Sequence, residues 1–159
     1  MTDYPEFEDP ITRPRYTGLP SFMRAPYVEN FQGVDIGLIG VPFDGGVTNR
    51  TGARHGPREI RNQSTLIRKM NQATGVFPHE LCVVRDIGDA WVQKPFTLEG
   101  SHKEIEEFYR KVYEAAIVPL SAGGDHSITL PIFRAIAQEC PVGLVHFDAH
   151  CDTGDDYLG

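Results

Sequence analysis

"VDIGLIGVP", residues 34–42, is a short apolar run in which no polar side chain recurs on every second position. A strand with one wet face alternates apolar and polar residues, whereas a strand covered on both faces does not. Three later stretches share the pattern: "LCVVRDIG" (81–88), "IVPLSAGG" (117–124) and "VGLVHFDA" (142–149). Helical patterns separate them. "PREIRNQSTLIRKMNQ" (57–72) starts with a proline, the favoured type at a first helical position. "SHKEIEEFYRKVYEAA" (101–116) puts Ile105, Phe108, Val112 and Ala116 on one stripe, and Ser101 with Glu104 matches a capping box. "ITLPIFRAIAQE" (128–139) is a shorter helix with Pro131 near its start. Strands alternating with helices predict an α/β fold, a parallel sheet covered by helices, in which ligands sit beyond the carboxyl ends of the strands.

Upstream, residues 1–33 are rich in proline, charge and scattered aromatics. They read as an extended N-terminal arm that packs on another surface, leaving 34–159 as part of a single α/β domain. The chain of 159 residues can bury a real core. Its net charge of -7, without a basic stripe, argues against nucleic acid and anionic membranes as partners. Cys82, Cys140 and Cys151 are too few and too unpatterned for a disulfide framework. The first residues lack the basic and apolar regions of a secretory signal, and no apolar run approaches a membrane span of ~20 residues. A cytoplasmic protein is expected, so the sequons at Asn49 and Asn62 carry little weight.

Two motifs fall just after predicted strands. "GGDHS" (123–127) pairs two glycines, which permit a sharp turn and close approach, with His126 at the sheet's carboxyl edge. "DAHCD" (148–152) places Asp148, His150 and Asp152 on alternate positions, so an extended backbone sends all three to one side. Carboxylates with imidazoles suit Mn, Ni, Zn or Fe better than magnesium, and a carboxylate can bridge two ions around an activated water. Either motif alone reads as a structural histidine or a helix cap; together they give a metal site made of His126, Asp148, His150 and Asp152. Asp125, His126 and Ser127 are triad residue types, but adjacent residues diverge and cannot form a relay. His79-Glu80 lacks the second histidine of a zincin helix. His146 shares a strand face with Asp148 and reads as a packed or hydrogen-bonded core histidine rather than an outer-shell partner of the metal. Cys151, pointing away by alternation, reads as a buried spectator.

With "GVPFDGGVTNRTGARHGPREIR" (40–61) upstream, these motifs resemble the ureohydrolases, the family of arginase and agmatinase. Within the agmatinase-like branch the sequence is most similar to the guanidinopropionases and guanidinobutyrases. The resemblance runs from about residue 15 to the end of the chain. It implies a three-layer α/β/α fold with a parallel sheet and a cytoplasmic homo-oligomer, a trimer or hexamer. It also implies a dinuclear centre holding two manganese ions, or nickel in some members. By the resemblance His126 binds one ion and His150 the other; Asp148 bridges both, and Asp152 completes the first site and acts catalytically by hydrogen bonding to a metal-bridging hydroxide. The implied reaction hydrolyses a guanidino compound, such as 3-guanidinopropionate, 4-guanidinobutyrate or agmatine, to urea and an amine. A guanidino acid would need a cation for its carboxylate, and Arg50, Arg54 and His55 are candidates, whereas Arg58 and Arg61 on the helix read as structural.

The family pattern includes two further metal carboxylates from a later D-x-D strand and an assisting histidine, and neither is found in this sequence. We therefore expect the N-terminal half of an enzyme that would hold a metal pair poorly by itself. The rival expectation is a short non-catalytic subunit that pairs with an intact paralogue.

Overall fold

The computed structural model describes residue 11 and residues 13–154. Its sheet has three parallel strands in the order β2-β1-β3. They are β1 (Ile36–Val41), β2 (Val84–Asp89) and β3 (Val118–Gly123), with Ile36 opposite both Val84 and Val118. The helices are α1 (Gly56–Ser64), the one-turn α2 (Pro78–Leu81), α3 (Leu98–Glu114) and α4 (Thr129–Ile136). From β1 the chain steps outward to β2, then crosses back over β1 to β3. Right-handed crossovers in opposite directions put their helices on opposite faces of a sheet. The side chains of β1 show both faces. Leu38 packs with Phe22, Ala25 and Val84, and a Cβ on Gly40 would stand 2.9 Å from Pro57 of α1. Ile39 and Val41 pack with Ile105, Tyr109, Val112 and Ala135 of α3 and α4. The sheet is therefore the middle of three layers, as expected, and β1 is buried because both of its faces are covered.

α3 shows how sequence sets an element's ends. Ile105 and Val112 are at most 1% exposed, and burying each contributes roughly 1.5–3 kcal/mol. The cap is not the expected Ser101–Glu104 box. Thr97 accepts the amide of Gly100, so the helix starts one turn earlier. Ser101 is thereby buried inside it and donates to the carbonyl of Thr97, while Glu104 reaches back to the amide of Gln93. At the other end Ala116 takes a left-handed φ of 56°. The Ile117 and Ala116 amides donate to the carbonyls of Val112 and Tyr113, closing the Schellman pattern with alanine where glycine is favoured.

α1 is shorter than the predicted 57–72. The Ser64 and Thr65 hydroxyls turn back onto the carbonyls of Arg61 and Asn62, and Arg24 draws the carbonyls of Thr65 and Ile67 towards itself. Those carbonyls are no longer aligned for another helical turn.

Of the expected arm, residues 1–10 and 12 lie outside the described residues. Phe22 and Ala25 are buried against Leu38 and Val84, and Tyr27 bridges Asp86 beside the outer edge of β2. Asp86, 1% exposed, joins these parts. It accepts from the Phe22 amide at 2.9 Å, the Gly88 amide at 3.0 Å, and Arg61 Nε and Nη2 at 2.9 and 3.0 Å. Arg61 also stacks over the Phe22 ring at 4.0 Å. The structural reading of Arg61 follows from this network.

The fourth apolar run differs from expectation. Residues 142–149 form no strand, and Leu144, Val145 and Phe147 are exposed. Such a run becomes a strand only where a neighbour takes its backbone hydrogen bonds and layers cover it; among the described residues this run pairs with no strand, and its apolar side chains stay exposed. Val118 and Leu120 of β3 are exposed as well.

Candidate metal centre

Three loops meet at the carboxyl end of the sheet, and a fully bonded polar network joins two of them. After β3, Gly124 adopts a φ of 35° and lies so close to the carbonyls of Val41 and Phe43 that a Cβ would collide with both. The Asp125 amide donates to Phe43 O at 2.8 Å, and Asp125 Oδ2 accepts the Gly46 amide at 2.7 Å. Asp125 Oδ1 accepts both the amide and the hydroxyl of Ser127, at 2.9 and 2.6 Å. Because Ser127 donates its proton to Asp125, the 3.2 Å contact from His102 Nε2 is made with a protonated nitrogen. Burial, then the nearby Arg134 charge, hold His102 below the usual histidine pKa, which keeps the ring neutral. Asp125 and Ser127 are thus spent on shaping the loop and form no nucleophilic relay with His126. His102, inside α3, is a residue the motif reading missed; its one sequence signal is a histidine beside the buried stripe of an otherwise apolar helix face.

The loop after β1 is anchored by Asp44. Its carboxylate is 1% exposed and accepts the Gly52 amide at 2.7 Å and the Arg54 amide at 3.3 Å, with the Arg54 guanidinium paired to it. The hydrogen bond from Arg54, against the opposing effect of burial, lowers the Asp44 pKa to about 2. Arg54, though half exposed, is therefore committed to the loop, and Arg50 and His55 are exposed on the same segment.

His126 projects from this scaffold towards residues 146–152. Its Nδ1 lies 2.9 Å from Asp152 Oδ2 and 3.3 Å from Asp148 Oδ2. His146 Nε2 lies 3.5 Å from the same Asp148 oxygen, and the His126 and His146 rings are 5.2 Å apart. Donor atoms of His126, His146, Asp148 and Asp152 all fall within 4.8 Å of one another. Asp152 joins by a left-handed φ of 51°, which folds its side chain back on the histidine. His150 stands to the other side, its ring 82% exposed and its Nδ1 3.5 Å from Asp148 Oδ1. Its amide donates to that oxygen at 2.9 Å. This amide, followed by the charges of the neighbouring histidines, holds the Asp148 carboxyl below the usual range.

Two readings change with the backbone. His146, expected in the core, has a side chain 29% exposed and joins the cluster. Cys151, expected buried, is exposed and takes a 3.3 Å hydrogen bond from the Thr153 hydroxyl. Both follow from the missing strand, since strict alternation holds only for extended backbone. An open cavity of about 1310 Å³ lies elsewhere, between residues 13–31 and the end of β2, lined in part by Arg61, Trp91 and Phe108. Among the described residues, the group of His and Asp donors close enough to hold a metal ion is the cluster at His126, away from this cavity.

The family model for the arginase family matches residues 34–159. This chain belongs to the arginase family. Guanidinopropionase of Pseudomonas aeruginosa is 53% identical over 157 residues, covering 99% of this chain and 49% of that protein. Mitochondrial agmatinase of Gallus gallus is 45% identical over 150 residues, covering 94% and 43%. Among solved structures, proclavaminate amidino hydrolase from Streptomyces clavuligerus superposes with a TM-score of 0.84 at 37% identity, covering 92% of this chain and 48% of that one. The chain thus spans about half the length of the relatives it matches. No described helix is long and apolar enough to cross a membrane.

Proposed function

We propose that the protein to which this sequence belongs hydrolyses the guanidino group of a small guanidino acid, such as 3-guanidinopropionate or 4-guanidinobutyrate, to urea and an amine. The observation that carries the reading is the meeting of His126 with Asp148 and Asp152 from a separate segment, at the sheet edge where an α/β fold binds its ligand. The higher identity to guanidinopropionase than to agmatinase supports a guanidino acid. Agmatine is the second reading, supported by the 45% identity to an agmatinase.

The donor set fits a transition-metal pair. Imidazole and carboxylate together suit manganese or nickel. Asp148 turns one oxygen to His126 and the other to His150, the disposition a bridging carboxylate needs. In this reading His126 and Asp152 would serve one ion and His150 the other. Bound there, the ions would supply a water nucleophile acidic enough to act at neutral pH, against a carbon made a poor electrophile by its delocalised charge. The chain's own residues hold the geometry. Asp152, near His126, would hydrogen-bond the attacking water. The Asp125–Ser127–His102 network fixes the loop that carries His126. A substrate carboxylate would meet Arg50 or His55, because Arg54 is held by Asp44.

The test is urea release from the metal-loaded full-length protein with 3-guanidinopropionate, 4-guanidinobutyrate, agmatine, arginine and guanidine. The reading expects the largest kcat/KM on a guanidino acid. Preference for agmatine would move the assignment to the second reading, and no urea from any of the five would overturn both.

A further inference from the structure

We infer that His102 is a positioning residue for the proposed reaction, because it joins the turn that carries His126 to the loop that carries Arg50. The inference rests on the reading above and concerns a buried group outside the cluster of donors. His102 is 7% exposed and sits in the first half of α3. Its Nε2 lies 3.2 Å from Ser127 Oγ, and its ring meets the Phe43 ring edge-on, with 6.1 Å between centres. Ser127 belongs to the turn after β3, and Phe43 to the chain leaving β1. One imidazole therefore touches both segments.

The bonds continue beyond it. Ser127 donates its hydroxyl proton to Asp125 Oδ1 at 2.6 Å, and Asp125 Oδ2 accepts the Gly46 amide at 2.7 Å. A Cβ on Gly46 would stand 2.8 Å from Ser127 Cβ, so the two segments meet without slack. Further along the same loop, Asp44 accepts the amides of Gly52 and Arg54, which leaves residues 47–51 as a span tethered at both ends. Arg50 sits in that span. α3 is the fixed member: Thr97 caps it, and Glu104 accepts the Gln93 amide at 2.6 Å.

A phenyl ring would fill the place of His102 without the desolvation that a buried imidazole bears. What the imidazole adds is a donor for Ser127 Oγ, whose own proton is given to Asp125. With that donor lost, Ser127 and Asp125 keep each other but not their position against α3. A misplacement of ~1 Å in a reacting site costs about a hundredfold in rate, and looseness here reaches both the metal-binding turn and the loop that would meet the substrate carboxylate.

The test uses the manganese-loaded full-length protein, with whichever of the five compounds above it turns over fastest. His102→Phe should lower kcat/KM by about tenfold or more. His102→Gln, which returns an N–H near the Nε2 position, should stay within about threefold of wild type. Ser127→Ala should match His102→Phe, and the double variant should fall no further than either, since both cut one chain of bonds. Val112→Ala, which loosens the packing of the same helix, should lower the urea midpoint yet keep kcat/KM. In the metal-free full-length protein, deuterium exchange at residues 44–52 and 123–128 should quicken in His102→Phe, while residues 104–114 exchange as in wild type. An active wild type whose activity survives His102→Phe, or losses that multiply in the double variant, would overturn the inference and leave the proposed function standing. An equal loss in Val112→Ala would do the same, by reducing His102 to packing. No urea from the wild type with any of the five would overturn both.

Discussion

Replacing Arg61 by methionine keeps most of the side-chain volume and removes the guanidinium from a carboxylate that is 1% exposed. Asp86 would keep its hydrogen bonds from the Phe22 and Gly88 amides and lose two from Arg61, at 2.9 and 3.0 Å. The change also deletes the 2.7 Å pair with the part-exposed Asp89, a 3.0 Å bond to the carbonyl of Gly88, and the contact over the Phe22 ring. Hydrogen bonds to charged groups contribute roughly 1.5–3 kcal/mol each, but they share one desolvation cost and do not add. Breaking a buried pair by removing one partner costs about 3–5 kcal/mol, and the two retained amides place this case near ~4. With a urea slope of ~2 kcal/mol/M, the midpoint should fall by roughly 2 M. The assay is urea unfolding followed by far-UV circular dichroism, with Asp86→Asn and the double variant completing the cycle. Coupling of at least ~2 kcal/mol is expected. Because Asp86 also holds the Phe22 amide, limited proteolysis near Arg24 should quicken. A loss below ~1 kcal/mol, or no coupling with Asp86, would refute the view that this pair ties the N-terminal segment to the sheet.

Ala116→Gly should stabilise the chain by about 1 kcal/mol in the same unfolding assay, because alanine at φ 56° bears a left-handed cost that glycine does not. Asp44, with its pKa lowered to about 2, contributes stability that is present above pH ~4 and lost as pH falls towards 2. A pH series of unfolding midpoints should show that slope in the wild type and a shallower one in Asp44→Asn. His102 has its pKa lowered by burial, so its contribution is present above its unfolded pKa of ~6.5 and fades as pH drops below it. The stability difference between wild type and His102→Gln should shrink between pH 7 and pH 5, read from paired urea titrations.

Much of this fold was legible because its physics is local and repetitive. Continuous apolar runs marked β1, β2 and β3, since strands covered on both faces carry no alternation. The run at 142–149 carried the same signal yet forms no strand among the described residues, because a strand also needs a paired backbone and covering layers, which a run of apolar letters does not reveal. His126, Asp148 and Asp152 were singled out from motif spacing and meet in the structure, with His146 brought beside them and His150 beside Asp148. His102, Asp44 and Asp86 were invisible to motif reading. Each acts through a partner far away in sequence: Ser127 for His102 and Arg61 with Phe22 for Asp86, while Asp44 depends on a loop closure onto Arg54.

The measurement closest to the central claim is urea release by the manganese-reconstituted full-length protein with a guanidino acid, compared with Asp148→Asn prepared alongside it. The account predicts urea and amine in equal amounts from the wild type, and a fall to background in the variant with the wild-type circular dichroism retained. Equal urea release from both proteins would contradict it, since the carboxylate facing His126 and His150 would then have no part in the reaction.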